Sequence, residues 1–220
     1  MIVQYNAGKN DLLAKWHRFL KSDNKIERLY EKAWTTLINM YYKRKFGGFG
    51  AGSSIVAPDR LIGCRHVFLG EGCSILHHAR LEAIERYGNQ YFEPRLIIGD
   101  RTSIGQNFHC IAGGNLIIGQ DVLMSGNIYI SDVLHDWHDV GVPVARQLLV
   151  CRTTRVGNLC FVGYGSAILP GAILGDQCIV GSNAVVGPGE YPAMSVLVGV
   201  PARIVRKYDL ETGIWERVRT

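Results

Sequence analysis

No run of about 18 apolar residues, the length a membrane-crossing helix needs, occurs in the 220-residue chain. The opening MIVQYNAGKNDLLAKW lacks the ordered charged, apolar and small-residue regions of a secretory signal. None of the six cysteines (64, 73, 110, 151, 160 and 178) forms a CxxC pair. Most of them sit in apolar, glycine-rich surroundings and read as small core residues of a protein kept reduced. Together these absences lead to the expectation of a cytoplasmic protein. The net charge of +5 is modest, and the basic residues fall in scattered groups (Lys15 to Arg28, Lys43 to Lys45, Arg203 to Lys207). That distribution, without a nucleic-acid motif, argues against a nucleic-acid partner. Histidine is also missing from Val156 onward.

What is present is a period of six. VGNLCF VGYGSA ILPGAI LGDQCI VGSNAV VGPGEY, from Val156 to Tyr191, divides into hexads. Position one is aliphatic throughout: Val156, Val162, Ile168, Leu174, Val180 and Val186. Position two is Gly in five of the six, and position five is small until Glu190. Neither a helix nor an alternating strand explains this period. A three-sided solenoid does, with the large aliphatic turned to the axis, the small residue near a corner and the Gly serving the bend. The same pattern runs earlier through Leu69, Ile75 and Leu81, through Ile98 and Ile104, and through Ile118, Met124 and Ile130. Its phase slips at Glu85–Arg95, at IAGGN and over about 132–155, so these are insertions.

The ends lack the six-residue period. Ile26 to Tyr41 repeats at helical spacing, and a second helical pattern lies around Leu12 to Leu20. The chain therefore reads as an N-terminal helical segment (1–48), a repeat region (49–192) with a projecting loop, and a C-terminal exit turn and tail (193–220). The helix suits capping of the open first coil or packing between copies. Its aromatics and flanking Lys and Arg also suit weak association with a membrane surface.

The hexads, the loop with ISDVLH, the run VGYGSAILPGAILGDQCIVGSNAVV and the ending GVPARIVRKY resemble the hexapeptide-repeat acyltransferases, over about Leu69 to Tyr208. The likeness is greatest to the branch that acetylates sugar hydroxyls, in small sugars and in bacterial surface polysaccharides. The resemblance implies a mainly β fold, a left-handed parallel β-helix, a homotrimer, and acetyl-CoA as acyl donor between adjacent subunits. It puts a general base at His135 and a carbohydrate or glycan precursor as acceptor, with a small free sugar or another small acceptor, hydroxyl or amine, as the runner-up. Asp132 reads either as a partner of His135 or acceptor, or as a cap on nearby backbone amides. Trp137 offers a face for a sugar ring or packs the loop, and His109 on the preceding coil offers a second acceptor contact. The coenzyme would run along Gly163, Tyr164 and Ser182, past Gly187, with Arg203 and Arg206 at its nucleotide end. Two departures stand out: Gly187-Pro188 replaces a Thr-Lys pair common in relatives, and Phe161 replaces a frequent Trp.

Two rivals differ in class. A zinc-dependent β-helical carbonic anhydrase needs three protein ligands and an open position, for which only His109, His135 and His138 are candidates. A non-catalytic assembly solenoid explains the repeats but not the long loop. The expectation is an enzyme that requires no metal.

Overall fold

The computed structural model describes residues 25–218. The helical pattern around Leu12 to Leu20 lies outside them. The helix α1 spans Lys25–Lys43. From Gly48 the chain winds into a three-sided coil whose sides are sheets of seven, nine and six strands. Each turn contributes one strand to the first, second and third sheet in that order. Arg95–Ile98, Ser103–Ile104 and His109–Ala112 make one such turn, and Asn115–Ile118, Leu123–Met124 and Tyr129–Ser131 make the next. Strands of successive turns pair in parallel, with Ile98 beside Ile118, Ile104 beside Met124 and Cys110 beside Ile130.

The register stacks like on like, so the position-one residues form three columns that fill the interior. Val156, Val162, Ile168, Leu174, Val180 and Val186 are fully enclosed, as are Cys160, Ala172, Cys178 and Ala184 at position five. Burial of these columns is the main source of stability, at roughly 1.5–3 kcal/mol per large aliphatic side chain. All six cysteines are free, four of them buried among these residues.

The role of the glycines differs from the sequence reading. The left-handed residue at each bend is position four, not position two: Leu159, Gly165, Gly171, Gln177, Asn183 and Gly189 all have positive φ. At Gly157, Gly163, Gly175 and Gly181 position two is Gly for want of room, whereas Gly187 faces open space. A Cβ on Gly163 would lie 2.6 Å from the backbone nitrogen of Ser182 on the next coil. Backbones pairing at about 4.8 Å leave no space there for a side chain.

Every phase slip falls at one corner, between the third and first sheets. The 3-10 turn Cys64–His66, the hairpin Arg86–Tyr91, the Gly113-Gly114 pair and the long arm after Ser131 all leave from it. The other two corners keep their period. At the end of the chain Ser195–Val198 still pairs in parallel with Ile179–Val180. Arg203–Asp209 then turns back antiparallel on it, and Ile214–Arg217 antiparallel on that strand, so the tail extends the second sheet.

Helix α1 meets the first coil through its less apolar side. Asn39 Oδ1 accepts a hydrogen bond from the Ile55 amide at 2.9 Å, and Tyr42 and Phe46 continue the core downward. Leu29, Trp34, Leu37, Met40 and Tyr41 face outward. The helix thus covers the open coil with one side and leaves an apolar stripe on the other.

Candidate functional site

The arm begins where the third-sheet strand Tyr129–Ser131 ends. Val133–His135 pairs antiparallel with Leu149–Cys151, placing His135 opposite Leu149, and Thr154–Val156 re-enters the first sheet. Its root is held by polar groups. Asp132 is fully buried and accepts from the amides of Gly113 and Gly114 at 2.7 and 2.9 Å. Its own carbonyl accepts from Arg152 N at 2.7 Å. Thr154 Oγ1 donates within the root and accepts from Gly171 N. Burial pushes the Asp132 carboxyl up, against the pull of the two glycine amides. The close approach explains Gly113: a Cβ there would lie 2.7 Å from a Val133 methyl and 2.8 Å from Cys151 Sγ.

Of the two readings of Asp132, the observed bonds are those of the backbone cap. Both of its oxygens are taken by amides of the coil beneath, and none of its hydrogen bonds goes to His135. A carboxylate buried here needs N–H donors, and the glycine corner supplies two. Asp132 therefore acts on His135 only by fixing the strand that carries it.

The arm also leans on the earlier insertion. Gln90 binds both backbone groups of Leu149, donating to its carbonyl at 3.1 Å and accepting from its amide at 2.7 Å. Tyr87 Oη donates to Ala145 O at 2.6 Å, and its ring meets the His135 ring edge-on with centroids 5.3 Å apart. Two insertions joined by bonds between residues 58 and 59 apart in sequence thus form one projection, with an exposed His135 on it. Tyr87 and Gln90 were missed in the sequence. Their signal was that both slips follow a third-sheet position, which places them at the same corner. At the arm's tip Asp136 caps the amides of Trp137 and His138 and contacts His138 Nδ1. The Trp137 and His138 rings stack at 4.5 Å, with Trp137 64% exposed. Gln147, buried, ties the tip together through the backbone of Asp139 and Val142.

His109 lies on the outer face of the third sheet, between Arg80 on the coil below and Tyr129 on the coil above. Its ring is edge-on to Tyr129 at 5.4 Å, and its Nε2 is buried without a hydrogen-bond partner. Burial, then the Arg80 charge, pushes its pKa below the usual histidine value, so the ring is neutral near neutral pH.

The expected coenzyme residues lie elsewhere. Gly163, Tyr164 and Ser182 form the corner between the second and third sheets, where Tyr164 receives a hydrogen bond from Asn127. Gly187 lies at the corner of the arm, with no atom within 4 Å of a Cβ built on it. The Arg152 side chain runs past Gly171 beside Pro188, so a cation stands at the corner where the Thr-Lys pair is absent. Arg203 and Arg206 are exposed on the tail strand, and Arg206 faces Arg217 directly across the hairpin. Within one chain the third sheet separates His135 from Gly163, Tyr164 and Ser182. Among the described residues no group of three or more His, Cys, Asp or Glu could hold a metal ion. His109, His135 and His138 each keep different company.

Residues 153–188 match the family model described as bacterial transferase hexapeptide (six repeats). WbbJ of Escherichia coli, named for lipopolysaccharide biosynthesis as an O-acetyl transferase, is 29% identical over 129 residues, 56% of this chain and 65% of its own length. Rv3034c of Mycobacterium tuberculosis, named as an acetyltransferase, is 31% identical over 159 residues, 68% of this chain and 52% of its own. The chain thus spans less than two thirds of the length of either relative. Among solved structures, the hexapeptide-repeat acetyltransferase VCA0836 of Vibrio cholerae superposes with a TM-score of 0.52 at 18% identity, covering 92% of this chain and 93% of that one. AntD of Bacillus cereus, an N-acyltransferase, gives 0.63 at 15% identity, over 79% and 90%. The fold class read from the sequence holds: mainly β, a left-handed parallel β-helix of hexapeptide repeats.

Proposed function

We propose that this chain, a hexapeptide-repeat protein of the acyltransferase type, transfers an acetyl group from acetyl-CoA to a sugar hydroxyl, with His135 as general base. The observation that carries the reading is an exposed histidine on a braced arm, at the one corner where an otherwise regular scaffold is interrupted. The base must reach the acceptor hydroxyl and be held still, and the bonds of Asp132 and Gln90 provide the second condition. His135 takes the hydroxyl proton while the oxygen attacks the thioester carbon. The carbon–sulfur bond then breaks, and the leaving thiolate takes the proton from the imidazolium. No covalent enzyme intermediate is needed.

The donor would occupy the corner of Gly163, Tyr164 and Ser182, where absent or small side chains leave backbone accessible, with Gly187 at its edge. The opposed Arg206 and Arg217, with Arg203, support a site for the phosphates at the nucleotide end. Because that corner and the arm lie on opposite edges of the third sheet, the reaction joins them across neighbouring copies of a homotrimer. His109 and Trp137 would contact the acceptor. The likeness to WbbJ supports a glycan or its lipid- or nucleotide-linked precursor as acceptor, in a cytoplasmic step of surface-polysaccharide synthesis.

A small free sugar is the second reading, supported by the likeness to the Escherichia coli galactoside O-acetyltransferase, 26% identical over 134 residues. The test is incubation with acetyl-CoA and candidate sugars, followed by mass spectrometry. An acceptor heavier by about 42 Da, one acetyl replacing one hydroxyl hydrogen, is the result this base mechanism requires. Release of CoA with no acetylated acceptor from any sugar contradicts it.

A further inference from the structure

Below His109 the outer face of the third sheet carries a set of charges that the transfer chemistry does not use. Register aligns Arg60, Arg80, His109 and Tyr129 in one column, and Ile62, Glu82, Ile111 and Ser131 in the next. Glu82 is only 7% exposed. Its Oε1 lies 2.6 Å from Arg60 Nε and 2.7 Å from Arg80 Nε. Burial alone would raise the Glu82 carboxyl, but the two arginines hold it below the usual range. One carboxylate therefore fixes two guanidinium groups side by side. Arg80 donates to Glu82 through its Nε, Arg60 meets it as an ion pair, and the side chains of Arg60 and Arg80 remain 58% and 42% exposed.

Among the described residues two positive charges against one negative leave a surplus, and the terminal N–H groups of both forks make no hydrogen bond. A planar fork held in place suits a phosphate or carboxylate. Next to this pair stands His109, with its unpartnered Nε2. At the foot of the column, between α1 and the sheet, lies a groove of about 340 Å³. Tyr41, Tyr42, Lys45 and Arg60 line it, with Lys45 Nζ 5.5 Å above the Tyr41 ring. Asp59 on the same wall is engaged by His78 at 3.0 Å. From the coil of His109 to that of Arg60 is two steps, roughly 10 Å, a span suited to a pyranose ring and an attached phosphate.

We infer that the Arg60–Glu82–Arg80 cluster binds an anionic group of the acceptor, so that the acceptor is a sugar carrying phosphate rather than a free sugar. The inference rests on the acceptor reading above and names its substrate class. The sugar lies against His109 and Tyr129 with its reacting hydroxyl toward the arm. Its phosphate sits on the two forks, and whatever the phosphate carries follows the groove.

The experiment measures binding without acetyl-CoA, so its outcome is separate from that of the transfer assay. Calorimetry compares a hexose, its 1-phosphate, the nucleotide diphosphate sugar and the same sugar on a short prenyl diphosphate. The probes meet wild type, Arg80→Gln, the more exposed Arg60→Gln, and Arg203→Gln as control for the proposed coenzyme end. The phosphorylated probes should bind at least tenfold tighter than the free hexose. Arg80→Gln and Arg60→Gln should each remove about tenfold of this, the typical weight of one charged hydrogen bond, and Arg203→Gln should not. The tighter of the last two probes tells a nucleotide-linked acceptor from a lipid-linked one. Equal affinity for hexose and hexose phosphate overturns the inference. So does a loss seen only in Arg203→Gln, or a change of oligomeric state in Arg60→Gln, which would make the cluster an interface between copies.

Discussion

The coil from Val156 to Tyr191 and the projection at the third–first corner are built by opposite rules. In the coil each residue repeats the job of the one six places before it, and the side chains that matter are apolar and fully enclosed. In the projection no residue repeats. Asp132, Gln90, Tyr87 and Gln147 each make a specific polar bond, and two pieces distant in sequence lock together. The coil supplies a rigid frame whose stability is spread over many equivalent positions. The projection supplies one exposed histidine, the proposed base, whose placement depends on a few bonds. Substitutions should therefore separate the two: coil changes act on stability, projection changes on transfer.

The largest stability effect belongs to the coil. Ile168→Ala removes a fully buried side chain from the third column and should cost about 2–5 kcal/mol in chemical denaturation. A cost below 1 kcal/mol would mean the columns are not the structural core. Asp132→Asn comes next and straddles the two regions. An amide keeps one acceptor but turns an NH2 toward one glycine amide, so the loss should be about 1–3 kcal/mol. Transfer should fall with it, chiefly in kcat, because the strand bearing His135 loses its anchor. An unchanged kcat would detach Asp132 from the placement of the base.

Gln90→Ala tests the clasp alone. It should cost about 0.5–1.5 kcal/mol at most and lower kcat more than its small stability loss suggests. Normal activity would show the two insertions to be independent. The smallest effect is expected at Trp34→Ala on the outward stripe of α1. This side chain is 52% exposed, and its loss should change stability by within about 0.5 kcal/mol. A larger loss would show that the stripe is covered in solution.

The same division governs what can be read from the chain alone. Position-one aliphatics and position-five small residues announce the coil, because burial imposes one requirement at regular intervals. The glycines at position two are equally visible, but their cause is not. Only three-dimensional spacing shows that Gly157, Gly163 and Gly175 clear the next backbone while the bend falls to position four. The projection is legible only as interruptions of phase. Its bonds join Gln90 to Leu149 and Asp132 to Gly113, and no periodicity relates such pairs. His135 stands out as a candidate through its place after the IYIS strand and through resemblance. Asp132 was equally visible, but its bonding to glycine amides could only be seen in the structure. The surplus of charge around Glu82 is not legible in the chain because Arg60 lies 20 residues before Arg80 and meets the Arg80–Glu82 pair only by register.

If His135 is the base, its removal should all but abolish transfer and leave the frame intact. This is tested by acetyl transfer and thermal unfolding of His135→Ala beside wild type. With His135 as the base, kcat should fall about 10²–10⁴-fold, the usual weight of a general base, with an unfolding midpoint unchanged within error. Transfer at the wild-type rate by a variant that folds normally would contradict it.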